Sequence, residues 1–259
     1  MLSIIIPSWR DPLLHRTIDD LLQHAEGDIE IIPVIDGYTP ETPIRTDDAR
    51  VRPLVLSQNV GMRDAINAGV EASSGKFLMR VDEHQRFGPG YDRLLTETCE
   101  PNWIVTPRRY ALDPEQWAIM DDIAPVDSMR LKIVHYERGQ KFTGVPWNRP
   151  DRAHLALDET MAMQGSCWVM PRVWWDTVIG RLQTEGYGPH VQDSHEMVFK
   201  TWRAGGKLMR NTNTWHAHKH RKFPRTHGYG GAAADAAYAY ALSVWREYYE
   251  QTVRPAWGM

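Results

Sequence analysis

The chain has 259 residues, 42% of them apolar and 24% charged, which is ordinary for a soluble globular protein of one large domain or two small ones. A formal charge of −3 excludes a global bias toward nucleic acid or anionic membrane, so any contact with a polyanion falls to a local patch. Two cysteines, Cys99 and Cys167, are too few for a disulfide framework or a cysteine-based zinc site and suit a reducing compartment.

Residues 1–7 lack the basic leader and cleavage site of a secretory signal and read as a first strand, with 2–6 a continuous apolar run typical of a strand covered on both faces. A helix follows over 13–24, placing Leu14, Ile18, Leu21 and Leu22 on one face. Strands are predicted at 29–35, ending in Asp36-Gly37, and at 51–56. The next helix spans 60–72, where Arg63 and Asn67, four apart, project from one side. The run 76–81 is a short apolar strand leading straight into Asp82-Glu83-His84. A buried strand ending in D-x-H puts two potential metal ligands at the carboxyl edge of a sheet, where open α/β folds bind ligands, and points to a cation holding a phosphorylated substrate. The triplet can also do no more than end a strand and cap the next segment. From 101 to 158, proline, tryptophan and charge alternate, and long functional loops around a few short elements are predicted. A strand at 161–170 precedes a helix over 171–182 with Pro171 at its first position. Another helix starts near Asp193 and ends at Gly205-Gly206, and an extended stretch leads to His216, His218 and His220, whose spacing of two puts them on one face. Residues 232–253 form an alanine- and aromatic-rich helix. The alternation of strands and helices predicts an α/β fold with a mainly parallel sheet flanked by helices: one domain over 1–231, with 232–259 packed on it. No segment approaches the ~20 apolar residues that span a bilayer, which predicts a cytoplasmic protein without stable membrane insertion. No feature calls for an obligate protein partner.

Ser3-Ile4-Ile5-Ile6-Pro7, Val34-Ile35-Asp36-Gly37, Asn59-Val60-Gly61 with Arg63 and Asn67, and Asp82-Glu83-His84 occur in the order seen in GT-A (Rossmann-like) glycosyltransferases, and the chain is similar to the large family-two type. Gln164-Gly165-Ser166-Cys167-Trp168, Asp193 to Glu196, Lys200-Thr201-Trp202 with Gly205-Gly206, and Thr214 through His220 resemble a short microbial and viral branch of that family. The D-x-H triplet and the later histidine also resemble the polypeptide N-acetylgalactosaminyltransferases. The likeness spans roughly residues 2–230.

The resemblance implies transfer of a sugar from a UDP-sugar to a hydroxyl acceptor, with Mn²⁺ or Mg²⁺ across the diphosphate to offset the charge of the leaving group. Asp82 and His84 are suitable ligands, the imidazole favouring Mn²⁺. Glu83 points to the opposite face if strand geometry persists. The family pattern places the third ligand at His218, with His216 the next choice. Asp36 is implied to bond the uracil ring and Arg63 to contact the nucleotide, with Asn67 beside it and the backbone of Pro7 and Ser8 against the nucleoside. Asp36-Gly37 read by itself is a turn, and Asn67 can equally hold its helix against a loop. The family's acidic pair falls on Asp193 and Glu196, with Asp193 as general base; the same D-x-x-E pattern makes a helix capping box. Family-two relatives invert the anomeric centre, whereas the N-acetylgalactosaminyl relatives retain it. Trp168 is expected near the acceptor, since aromatic faces stack on sugars, and 227–231 is a glycine-rich candidate lid. The basic segment 219–225, including Arg221, is suited to steering a polyanion. The acceptors that remain open are a glycan, a hydroxymethylated pyrimidine in phage-type DNA, flipped out of any duplex, and a protein side chain or small molecule. Two readings from other classes are a nucleotidyltransferase on the same type of sheet and a non-catalytic nucleic-acid-binding module using 219–225.

Overall fold

A computed structural model of the chain describes residues 1–220 and 231–259. In chain order, β1 (Leu2–Ser8) and α1 (Leu14–His24) are followed by β2 (Ile29–Asp36), β3 (Leu54–Leu56), α2 (Met62–Glu71), β4 (Phe77–Val81), β5 (Gln85–Phe87) and α3 (Tyr91–Thr96). The second half adds β6 (Trp103–Asp113), β7 (Ala118–Ile119), β8 (Met129–Tyr136), β9 (Gly139–Pro146), β10 (Leu157–Glu159) and β11 (Cys167–Pro171). After these come α4 (Arg172–Trp174), which runs into a π-helical turn (Trp175–Ile179), then α5 (Asp193–Arg203), β12 (Lys207–His218) and α6 (Gly231–Tyr248).

The sheet runs β10-β12-β6-β11-β4-β1-β2-β3. β1, β2, β3 and β4 are mutually parallel where they pair, and β12 is parallel to β6, while β11 is antiparallel to both β4 and β6. Side chains alternate across it as strand geometry requires. Ile5 of β1 joins a core with Trp168, Phe199 and Trp245, and its neighbours Ile4 and Ile6 join a second core with Leu14, Ile18 and Tyr91. That double covering explains why β1 and β2 are apolar without alternation. The fold is a mixed α/β arrangement with a mainly parallel central sheet flanked by helices.

Several sequence expectations change. The segment 161–170 is extended only from Cys167, because Thr160 Oγ1 and a bridge from Met129 to Ala162 hold the preceding stretch in an irregular path. The helix at 171–182 stops at Ile179, since Gly180 takes φ 65° and closes a π turn. Within 101–158, β6 and the β8–β9 hairpin replace the expected loops. The alternation Met129-Arg130-Leu131-Lys132-Ile133 carries that hairpin, with Met129 and Leu131 buried. At α5, Gln192 sits at the N-cap in the left-handed region with no side-chain cap, so Asp193 and Glu196 make no capping box.

α6 lies against α5 and the hairpin. Trp245 stacks on Phe199 with ring centroids 5.1 Å apart and donates to Tyr187 Oη at 2.7 Å, and Tyr136 Oη donates to Asp235 at 2.7 Å. No helix among the described residues is long and apolar enough to cross a membrane.

Trp168 is fully buried and stacks on Trp175 at 6.0 Å, which places it in the core. Trp168→Ala is expected to lower unfolding stability by about 3–5 kcal/mol, the cost of a large core cavity, measured by urea denaturation. A loss below about 1 kcal/mol with a raised acceptor KM would return Trp168 to the acceptor site.

Candidate active site

The carboxyl ends of β1, β2 and β4 bring Pro7, Asp36 and Asp82 to one cleft, the position at which an open α/β sheet receives ligands. The cleft has two lobes that share Met62, Arg80, Asp82 and His190. The first is lined by Pro7, Ser8, Trp9, Asp36 and Asn59; the second by Lys141, Ser166, Asp193, His195 and Tyr238.

Asp82, His84 and His218 converge where the lobes meet. β5 follows β4 after a short turn and pairs antiparallel with the end of β12, with Gln85 opposite His218, so the two histidines are brought together by sheet register. His218 Nε2 lies 3.0 Å from Asp82 Oδ2 and 3.2 Å from His84 Nε2, and the remaining pair is 3.9 Å apart. Ligand atoms on neighbouring corners around a first-row cation stand ~3 Å apart, given bond lengths of about 2.0–2.2 Å. One carboxylate oxygen and two imidazole nitrogens at these spacings fit a divalent transition ion. Nδ1 of His218 is buried without a hydrogen-bond partner among the described residues, and all its side-chain hydrogen-bond contacts there are made by Nε2.

Arg80 completes the arrangement. Its Nη2 donates to Asp82 Oδ1 at 2.6 Å and its Nη1 donates to the Gly165 carbonyl, which leaves Oδ2 turned to the histidines. Burial pushes the Asp82 carboxyl up, but the Arg80 charge and the His218 contact outweigh it and hold the group well below the usual carboxylate range. Burial is also the main cause at the imidazoles. It lowers His218 to about 4 against the pull of Asp82, lowers His195 to about 4, and holds His216 well below the usual imidazole value.

His216 is fully buried, 3.4 Å from Ser166 Oγ, and lies outside the cation group, whereas His220 is exposed with its ring 5.0 Å from that of His218. Glu83 accepts the Trp9 amide at 3.0 Å. Asp36 lines the first lobe, and its carboxylate accepts the amides of Val60 and Gly61 at 2.7 and 2.9 Å. It therefore shapes the 59–61 loop as well as facing the cleft. Burial raises its pKa, opposed by those two amides.

Three expected site residues turn inward. Arg63 is fully buried, bonded to Glu196 Oε2 at 2.5 Å and to the Val191 carbonyl at 3.0 Å, with its guanidinium over the Tyr187 ring. Glu196 also pairs with Lys200 at 2.7 Å, so neither Arg63 nor Glu196 reaches the cleft. Asn67 exchanges hydrogen bonds with the Leu182 backbone at 2.9 and 3.0 Å and pins α2 to that loop. Asp193 differs from its partner Glu196: it lines the second lobe, and its carboxylate makes no hydrogen bond or ion pair among the described residues. Arg221 and most of 219–225 and 227–231 lie outside the described residues.

Arg80 was not singled out from the sequence, although strand periodicity puts it on the same side as Asp82, two residues on. His190, Lys141 and Tyr238 come from separate elements, and only folding assembles them.

A family model for glycosyl transferase family 2 matches residues 3–175. The chain belongs to glycosyl transferase family 2. Membership of that family favours sugar transfer over the nucleotidyltransferase and non-catalytic readings. No curated protein matches its sequence. Among solved structures, a crystal structure of GalNAc-T7 with UDP, GalNAc and Mn²⁺ is similar over 98% of this chain and 50% of that one, with TM-score 0.76 and 16% identity. The chain of family 2 spans about half the length of that protein and shares its fold.

The neutral histidines generate a pH dependence. The unfolded chain protonates them near 6.5 and folded His195 only near 4, so the unfolded state binds more protons between those values and stability falls as pH drops through that window. For His195 alone the full effect is on the order of 3 kcal/mol. Urea midpoints without added metal should hold above about pH 7 and decline toward about pH 5, with a shallower decline in His195→Gln. An unchanged slope in that variant would show that folding leaves the His195 pKa where the unfolded chain has it.

Proposed function

We propose that the chain moves a sugar from a UDP-sugar to a hydroxyl acceptor, with Mn²⁺ or a similar divalent ion held by Asp82, His84 and His218. The observation that carries this reading is the convergence of those three ligand atoms between a lobe at the sheet's carboxyl edge and the lobe bearing Asp193. The GalNAc-T7 structure, which holds UDP, GalNAc and Mn²⁺ in the same fold, supports the choice of donor and ion.

A bound divalent ion supplies charge neutralisation for the departing diphosphate. The chain's own residues do the remainder. Pro7 and Asp36 border the nucleoside side, and Ser8 Oγ and Tyr38 Oη, 2.7 Å apart, fix the wall beside Trp9. Arg80 adds a positive charge to the cleft floor, preorganised by its bonds to Asp82 and Gly165. Asp193 takes the proton of the acceptor hydroxyl as that oxygen bonds to the anomeric carbon and the bond to UDP breaks. Arg63 and Glu196 act at a distance, holding α2 against α5.

The acceptor is a glycan or, through the basic segment 219–225, a hydroxymethylated pyrimidine in DNA. That segment starts at the site, where the Lys219 amide donates to the His84 carbonyl at 3.2 Å. The two free cysteines, Cys99 and Cys167, fit action in a reducing compartment such as the cytoplasm.

The test is UDP release from a panel of UDP-sugars with Mn²⁺, run with glycans, with duplex DNA containing 5-hydroxymethylpyrimidines, and alone. Stimulation by either class assigns the acceptor. Asp82→Ala should abolish release, and Asp193→Asn should lower transfer about 10²–10⁴-fold, the range for loss of a general base, while UDP binding persists. No release with any donor, or metal-dependent activity retained in Asp82→Ala, would sink the proposal.

A further inference from the structure

Asp11 has no part in the family signature read from the sequence, yet it lies directly behind one of the three proposed ligands. Its Oδ2 is 3.1 Å from Nδ1 of His84, and both side chains are almost wholly buried. Its other oxygen accepts the Leu13 amide at 2.8 Å, tying the carboxylate to the entry of α1. The chain reaches this position through Arg10, which adopts φ 53°. A non-glycine residue in the left-handed region is strained, and here it turns the backbone into the segment that carries Asp11.

The chemistry of the contact is one-directional. An ionised carboxylate only accepts, so the imidazole nitrogen that faces it must carry the proton. The tautomer of His84 assigned from this contact is protonated at Nδ1, which leaves the Nε2 lone pair directed at Asp82 and His218. A carboxylate behind a ligating imidazole also makes that imidazole more basic and fixes its plane.

We propose that Asp11 is a positioning residue that locks His84 in the Nδ1-protonated tautomer and presents Nε2 to the cation. This rests on the reading that Asp82, His84 and His218 hold that cation. A competing use of the same atoms exists, because Asp11, Glu83 and His84 also bring ligand atoms within 4.8 Å of one another. In that group, however, Asp11 and Glu83 already accept the amides of Leu13 and Trp9, and all three residues are buried. Those bonds give the two carboxylates a structural task and favour one ion over two.

The experiment compares wild type, Asp11→Asn and Asp11→Glu by long-range ¹H–¹⁵N spectra of the metal-free protein and by Mn²⁺ titration followed by EPR, with thermal melts to confirm folding. In wild type, His84 should show a protonated Nδ1 and a bare Nε2, with one Mn²⁺ bound per chain. Asp11→Asn should lose the tautomer preference and bind Mn²⁺ about 10–100-fold more weakly, and Asp11→Glu should recover part of that affinity. A wild-type His84 protonated at Nε2 overturns the inference, and so does unchanged Mn²⁺ affinity in a folded Asp11→Asn. Two Mn²⁺ per chain, one of them lost with Asp11, would make Asp11 a ligand and overturn it as well. Wild type that binds no Mn²⁺ overturns the cation reading beneath it, a result the tautomer spectra keep separate. If Asp11→Asn does not fold, the wild-type spectrum alone decides the tautomer.

Discussion

The site depends on how one buried carboxylate is shared. Asp82 stands at the end of a strand enclosed on both faces, where an unpaired charge would cost several kcal/mol. Arg80 takes one oxygen and His218 contacts the other, and this division both stabilises the carboxylate and orients it. The same low-dielectric surroundings keep His218 neutral near pH 7. A neutral imidazole is the form that can ligate a metal, since a protonated one has no lone pair to give. Burial, a cost to the fold, therefore puts both ligand types in the state their chemistry needs.

A second buried pair supports the first from behind. Arg63 and Glu196 join α2 to α5, with Lys200 closing the group and Tyr187 covering the guanidinium. Breaking such a pair by removing one partner leaves an uncompensated charge, a loss of about 3–5 kcal/mol. The pair therefore fixes α5, and α5 carries Asp193 at its first residue. This explains how two acidic side chains three positions apart differ in role. Glu196 faces the core and is saturated, whereas Asp193 faces the second lobe and has its carboxylate available.

Much of the proposed donor half was legible because it follows local rules. The strand runs at the start of the chain and before Asp82 have the apolar continuity of covered strands, and each ends in the polar residue that reaches the cleft. The D-x-H spacing showed two of the three cation-group residues, with family likeness favouring His218 over His216. Periodicity could not separate those two, since both lie on one face of β12; the pairing of β12 with β5 does, by setting His218 beside His84. Family likeness places Arg63, Asn67 and Glu196 in the site, and the capacity of aromatic faces to stack on sugars places Trp168 there. Their direction depends on partners more than 100 positions away for Arg63, Asn67 and Glu196, and on the packing of Trp175 for Trp168. Nothing in a local window reports that.

The proposed acceptor half poses a different physical problem, because its walls come from parts of the chain that only packing brings together. Lys141 of β9 places its ammonium over Tyr238 of α6 at 5.1 Å, and both border the lobe that holds Asp193. The family match ends at residue 175, whereas Asp193, His218 and Tyr238 all lie beyond it. Their proposed roles rest on geometry rather than on family membership. α6 has a double task in that geometry: through Trp245 on Phe199 it braces the helix that carries Asp193, and through Tyr238 it forms the opposing wall. The position of the proposed base and the width of the acceptor lobe are consequently set by the same helix. Repacking α6 against α5 would alter both, so the proposed acceptor fit and the proposed proton transfer are coupled through the Trp245–Phe199 contact.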